Sequence, residues 1–263
     1  MVNKINISFT SIKGRRVSNE DEHTIITNIN NSNENMNNIN LFGIYDGHGG
    51  DEISKYVSEE LPLHYCTKEK SCPFKKKYHE NVFNHLQEKI LKKKEGHRAG
   101  STCLLNIMYK YHDELHFNTV NLGDSRLVIV YKSGHTKQIT TDHKPDDDIE
   151  KSRIEKIGGE VYKDSEGVFR VGQLSLARAF GDGDNAPYIS QVPDVYYNKI
   201  TNNTKYIVMA CDGLWDVVDN KELFPLLEGY KKENSKNLAA NLAQEALKKG
   251  SYDNVSIIIL EFE

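Results

Sequence analysis

The order of apolar patterns along this 263-residue chain predicts an α+β fold, two groups of antiparallel strands flanked by helices. Three observations carry that reading. Runs rich in Ile, Val, Tyr and Thr follow one another between residues 101 and 140 with only small polar turns between them, whereas a parallel crossover needs about a dozen residues. Helical stretches come in pairs, one pair before those runs and one near the C-terminus, and each helix of the first pair has an apolar stripe that needs a sheet to bury it. Further strand-like runs lie on both sides of the helical pairs, so layers of sheet and helix are expected.

Glu22 to Thr27 and Asn40 to Tyr45 read as two strands. Between them, residues 28–40 (NINNSNENMNNIN) hold eight Asn in thirteen positions, a composition that cannot bury apolar surface and predicts an elongated loop at a hairpin tip. A turn-rich DGHGG leads into a helix over Asp51 to Leu61, with Ile53, Val57 and Leu61 on one face and Pro62 closing it. A longer helix is predicted from Phe74 to Lys94, its stripe being Phe74, Tyr78, Val82, Leu86 and Ile90. Strands follow at 101–110, 114–120, 126–132 and 137–140, then a helix over Asp146 to Ile157 ended by Gly158-Gly159. Residues 160–200 lack clear periodicity. A strand at Tyr206 to Cys211, a helix near Asn220 to Tyr230, a helix from a Ser235 cap to Lys249 and a strand at Asn254 to Phe262 complete the chain. No repeat or linker divides it, so one domain over 1–263 is expected.

Composition removes several classes. Lys and Arg number 34 against 38 Asp and Glu, for a net charge of −4, so the basic face of a nucleic-acid binder is not expected. Hydrophobic residues make up 38%, enough for a core and against disorder throughout. Apolar runs such as Leu127 to Tyr131 and Ile257 to Leu260 fall far short of the roughly 18 residues of a spanning helix. The N-terminus has no apolar signal core, and Val2 stands where myristoylation needs Gly. An intracellular, soluble protein, cytoplasmic and/or nuclear, is expected, as a monomer. Cys66, Cys72, Cys103 and Cys211 form no CxxC pair and read as reduced thiols, the last two as core residues.

The chemistry lies in the placement of acids. Asp46, Asp124, Asp212 and Asp253 each stand at or beside the end of a predicted strand. A lone Asp-Gly is usually a turn, but four at apolar strand ends can share one rim. Carboxylates without paired Cys or closely spaced His favour Mg²⁺ or Mn²⁺ over Zn²⁺, and two such ions suit displacement at phosphorus. If adjacent Glu20 and Asp21 lie on a strand, they face opposite ways, one as ligand and one as support. His48, two residues past Asp46, is a candidate general acid, and Arg16 can grip phosphate oxygens.

Eight segments resemble, in order, the motif set of the metal-dependent Ser/Thr protein phosphatases of type 2C, the PPM family. They are residues 14–21 (GRRVSNED), 46–50 (DGHGG), 99–102 (AGST), 121–126 (NLGDSR), 142–145 (DHKP), 176–182 (LARAFGD), 211–216 (CDGLWD) and 253–256 (DNVS). Each alone is weak; eight in order from about residue 6 to 262 are specific. The resemblance implies a central β-sandwich of two antiparallel sheets with helices on both outer faces, holding two Mg²⁺ or Mn²⁺ ions and a weaker third. It implies that Asp46 bridges the metals, that the Gly47 carbonyl and Glu20 serve one ion and Asp212 with Asp253 the other, and that Asp124 joins Asp212 at the third. Arg16 would hold the substrate phosphate, His48 would protonate the leaving Ser or Thr oxygen, and a metal-bridging water would attack phosphorus. Asp21, Thr102, Asp182 and Asn254 would support these groups. The implied substrates are phosphoserine and phosphothreonine proteins. Residues 160–175 correspond to the flap beside the site and lack a family-specific sequence. A catalytically silent phosphoprotein-binding adaptor is the alternative, disfavoured because the metal ligands are intact; a nuclease would need a basic groove.

Overall fold

Alternation along the apolar runs decides the layering. In the computed structural model, which describes residues 4–29, 39–66 and 72–263, the strands are β1 (Ile5–Ile12), β2 (Glu22–Ile29), β3 (Ile39–Tyr45), β4 (Gly47–His48), β5 (Gly100–Ser101), β6 (Cys103–Tyr111), β7 (Glu114–Leu122), β8 (Arg126–Tyr131), β9 (Thr136–Gln138), β10 (Val161–Lys163), β11 (Phe169–Val171), β12 (Phe180–Gly181), β13 (Asp194–Lys199), β14 (Thr204–Ala210) and β15 (Val255–Phe262). The α-helices are α1 (Glu52–Glu60), α2 (Lys76–Ile90), α3 (Asp148–Lys156), α4 (Asp212–Trp215), α5 (Leu223–Lys232) and α6 (Leu238–Lys248).

One five-stranded sheet has the order β1-β15-β14-β8-β9 and a second the order β13-β7-β6-β3-β2, with every pairing antiparallel. Phe42, Ile44, Leu104 and Phe117 of the second sheet meet Leu127, Ile129, Ile207, Met209, Ile258 and Leu260 of the first in one buried layer. The residues between them point the other way. Leu41, Tyr45, Leu105 and Ile107 pack on Ile53, Val57, Val82, Phe83 and Leu86 of α1 and α2. Val128, Val208, Ile257 and Ile259 pack on Leu227, Leu242, Ala243 and Ala246 of α5 and α6. The result is a helix-sheet-sheet-helix sandwich, as expected. Each fully buried aliphatic side chain contributes about 1.5–3 kcal/mol relative to exposure.

Several local expectations need correction. β1 and β13 were not expected; both are edge strands, and their half-buried faces weaken the period-two signal. The predicted helix at 74–94 stops at Ile90, after which Lys92-Lys93-Lys94 offer no apolar stripe. Its C-terminal partner is capped by Asn237, whose Oδ1 accepts the Ala240 N–H at 3.0 Å, rather than by Ser235. Within 160–175, β10 and β11 form a small hairpin. Residues 30–38 of the Asn-rich stretch lie outside the described residues; the strands flanking it pair, with Glu22 opposite Tyr45.

The pairings bring all the acidic strand ends to one end of the sandwich. Glu22 faces Tyr45, Cys103 faces Leu122, and Ala210 faces both Arg126 and Ile257, so the residues just beyond these pairs share a rim.

Candidate metal and phosphate site

Asp46 leaves the end of β3 and is held there by Thr102. Its N–H donates to Thr102 Oγ1 at 3.0 Å, its carbonyl accepts the Thr102 N–H at 2.8 Å, and Ser125 Oγ lies 3.0 Å from the same hydroxyl. Gly47 follows in β4, where a Cβ would crowd the Glu20 carbonyl and approach Ser54 Oγ to 2.8 Å. That carbonyl accepts the Ser54 hydroxyl at 2.5 Å, and the Glu20 carboxylate accepts Gly50 N–H at 3.2 Å and the Ser18 hydroxyl at 3.1 Å.

Asp21 goes elsewhere. It is buried, and its Oδ2 accepts the Ser256 hydroxyl at 2.6 Å and the Cys211 thiol at 3.5 Å. Glu20 and Asp21 precede β2 rather than lying on a strand, and their divergence comes from these separate partners. Ligand atoms of Asp21, Asp46 and Cys211 lie within 4.8 Å of one another. Asn254 ties the loop down: its Oδ1 accepts Glu20 N–H at 2.9 Å while its Nδ2 donates to the Lys13 and Ser18 carbonyls, both at 2.8 Å.

Burial together with neighbouring acids dominates the electrostatics. Burial, then Asp21 and Asp212, hold the Asp46 carboxyl well above the usual carboxylate range. Burial and Asp124 push Asp212 up to about 8 against the opposing pull of Lys144. Burial pushes Asp21 up to about 6, opposed by its bonds from Ser256 and Cys211. Asp21 Oδ1 is buried with no hydrogen-bond partner among the described residues. Mutually repelling oxygen donors at Asp46 and Asp212 fit a hard divalent cation.

Asp253 opens the turn into β15, and Arg16 Nη2 donates to its Oδ2 at 2.6 Å; that bond, against some burial, raises the guanidinium pKa. His48 Nε2 lies 2.8 Å from Oδ2 of buried Asp182. Gly100 makes room for this pair, since a Cβ there would crowd Asp182 Oδ2 and lie 2.5 Å from His48 Nε2.

Asp124, in the β7–β8 turn, is buried beside Lys144, whose Nζ lies 2.5 Å from Asp124 Oδ2 and 3.6 Å from Asp212 Oδ2. Burial lowers the Lys144 pKa, but Asp124, Asp212 and Asp216 more than offset it. The Asp124 turn is braced by His143, whose Nδ1 accepts Gly123 N–H at 3.0 Å while Nε2 faces Asp194 at 3.2 Å. Sequence reasoning assigned no site role to Lys144, Ser256 or Asp216, and read Cys211 as a core residue. Asp216 follows Asp212 by one helical turn, a spacing that places both on one face; partial desolvation and the neighbouring acids raise its carboxyl against the pull of Lys144.

The family model for Protein phosphatase 2C matches residues 5–255. Among similar proteins, Probable protein phosphatase 2C 69 from Arabidopsis thaliana is 34% identical over 262 residues, covering 98% of this chain and 70% of the relative. A solved structure titled as a C. elegans sex determining protein superposes with TM-score 0.85 at 28% identity, covering 99% of this chain and 65% of that one. A Toxoplasma gondii serine-threonine phosphatase 2C shares the fold, with TM-score 0.80 at 21% identity over 100% of this chain and 96% of that one. With the acidic rim, the sandwich and these likenesses in agreement, the chain belongs to the protein phosphatase 2C family of metal-dependent serine/threonine phosphatases.

Proposed function

We propose that one catalytic domain spanning this chain hydrolyses phosphoserine and phosphothreonine on proteins, with two Mg²⁺ or Mn²⁺ ions held by Asp46, the Gly47 carbonyl, Glu20, Asp212 and Asp253. Asp124 with Asp212 would hold a weaker third. The observation that carries this reading is the crowding of Asp46, Asp124, Asp212 and Asp253 at one end of the sandwich, where the other three, with Asp21, raise the proton affinity of Asp46. When bound, the cations supply Lewis-acid polarisation of the phosphoryl group and lower the pKa of water.

The remaining work falls to side chains. Arg16, held by Asp253 and still more than half exposed, is placed to pair with phosphate oxygens. With His48 Nε2 committed to Asp182, Nδ1 is the nitrogen available to deliver a proton to the leaving alkoxide. Thr102 orients Asp46 through two hydrogen bonds, and Asp21 and Asn254 brace the Glu20 segment from beneath. Buried Cys211, its thiol pKa raised by burial and adjacent acids, is unsuited to act as a nucleophile.

Hydrolysis of a phosphothreonine peptide with Mn²⁺, with Asp46→Ala and Asp212→Ala variants and an EDTA arm, tests the proposal. Activity that survives EDTA or persists in both variants would overturn it. The intact acidic set favours catalysis over a silent adaptor, and Mn²⁺ binding by calorimetry separates the two. Among the described residues no helix is long and apolar enough to cross a membrane. An intracellular location, cytoplasmic and/or nuclear, remains part of the proposal.

A further inference from the structure

Two rungs of side chains join residues 15–16 to residues 252–253. The inner rung is the Arg16–Asp253 pair at 2.6 Å. The outer rung is Arg15, whose guanidinium carbon sits 4.8 Å from the centre of the Tyr252 ring and whose Nη2 donates to the Leu247 carbonyl at 3.5 Å. Among the described residues Arg15 makes no ion pair. Tyr252 is 70% exposed and Val17, on the other side of Arg16, is 96% exposed.

We propose that Arg15, stacked on Tyr252, recognises an acidic side chain in the protein substrate within two positions of the phosphorylated Ser or Thr. The proposal rests on the phosphatase reading above. A phosphate gripped by Arg16 places the flanking peptide over the neighbouring surface. Consecutive Cα atoms lie about 3.8 Å apart and an extended peptide advances about 3.3 Å per residue, so a residue one or two places along comes opposite Arg15. The charge pattern fits: Arg16 is taken up by Asp253 and Lys144 by Asp124 and Asp212, whereas Arg15, with no carboxylate partner among the described residues, is left to complement an acidic flank. Stacking on the ring fixes the guanidinium before substrate arrives, which lowers the ordering cost of binding.

The test measures kcat/KM with Mn²⁺ on matched phosphothreonine peptides carrying Glu, Ala or Lys at the flanking positions. The wild-type protein is expected to prefer Glu over Ala by about threefold, the scale of an exposed ion pair, and less so in high salt. Arg15→Ala brings the ratio to about one, Arg15→Glu inverts it toward Lys, and Arg15→Lys restores part of it. A wild-type ratio of one, or an Arg15→Ala ratio equal to wild type, overturns the proposal. Hydrolysis of p-nitrophenyl phosphate by the wild-type protein separates the two failures: none at all sinks the phosphatase reading, while turnover without flank preference sinks only the role of Arg15.

Discussion

Lys144 lies 2.5 Å from Asp124 through Nζ and Oδ2, and the same ammonium is 3.6 Å from Asp212. A single protein cation therefore stands between two proposed metal ligands. Removing it leaves buried Asp124 and partly exposed Asp212 without the cation they share, and losing a hydrogen bond to a charged group of this kind costs about 1–3 kcal/mol. Lys144→Met is expected to lower the unfolding midpoint in EDTA by several degrees. A divalent ion can replace the missing charge, so Mn²⁺ should raise the midpoint more in the variant than in wild type. Equal Mn²⁺ increments would refute this coupling.

The raised carboxyl pKa values set a pH dependence for the metal-free protein. Asp212 at about 8 and Asp21 at about 6 stand above the unfolded value of about 3.9. Between pH 4 and 8 these two carboxyls thus hold more protons in the folded state than in the unfolded one, and their linkage makes stability fall as pH rises, unopposed by buried His79 (pushed down to about 4 by burial) once pH exceeds about 6.5. In EDTA the thermal midpoint should decline from about pH 6.5 to pH 8. Metal binding displaces those protons, so Mn²⁺ affinity should climb over the same range, with proton release visible as a buffer-dependent enthalpy in calorimetry. A midpoint in EDTA that rises with pH would contradict the assignment.

How much of this could be read from the chain depended on the range of the interaction. The apolar runs of β3, β14 and β15 were legible because both faces of these strands are buried, which keeps the run nearly continuous, and the pattern is local. β1 was not, because its partner β15 lies at the other end of the chain, with Ile5 opposite Phe262, and an edge strand has only one covered face. At the site, Asp46, Asp124, Asp212 and Asp253 were marked by their place at strand ends. Lys144 stood in one of the eight segments, but its role was not legible because its significance is a distance to residues 20 and 68 positions away. Cys211 was read as a core residue, and it is buried; its contact with Asp21 across the sheets is a tertiary fact with no sequence counterpart.

The pairing of His48 with Asp182 at 2.8 Å predicts a dependence on the leaving group. A phosphothreonine ester expels an alkoxide that needs a proton, while p-nitrophenolate leaves without one. His48→Asn should therefore lower kcat about 100-fold on a phosphothreonine peptide, within the usual range for a lost general acid, and less than about tenfold on p-nitrophenyl phosphate. Asp182→Asn keeps the ring but loses its orienting carboxylate, and an intermediate loss of about tenfold on the peptide is expected. Equal losses on both substrates in the His48 variant would remove the general-acid role.

Gly100 offers a way to break the same pair from the backbone. A Cβ at this position would crowd Asp182 Oδ2 and lie 2.5 Å from His48 Nε2 and 2.7 Å from the Phe180 carbonyl. The chain cannot step aside, because Gly100 is paired with His48 on one side and Gly181 on the other. The methyl group must therefore push the imidazole and carboxylate apart. Gly100→Ala is expected to lose more activity on the phosphothreonine peptide than on p-nitrophenyl phosphate, and to lower stability by about 1–3 kcal/mol as an overpacked site does. Because both changes act on one contact, the Gly100→Ala, Asp182→Asn double variant should lose less peptide kcat than the product of the single losses. Multiplicative losses would mean that the glycine serves the sheet alone and not the histidine.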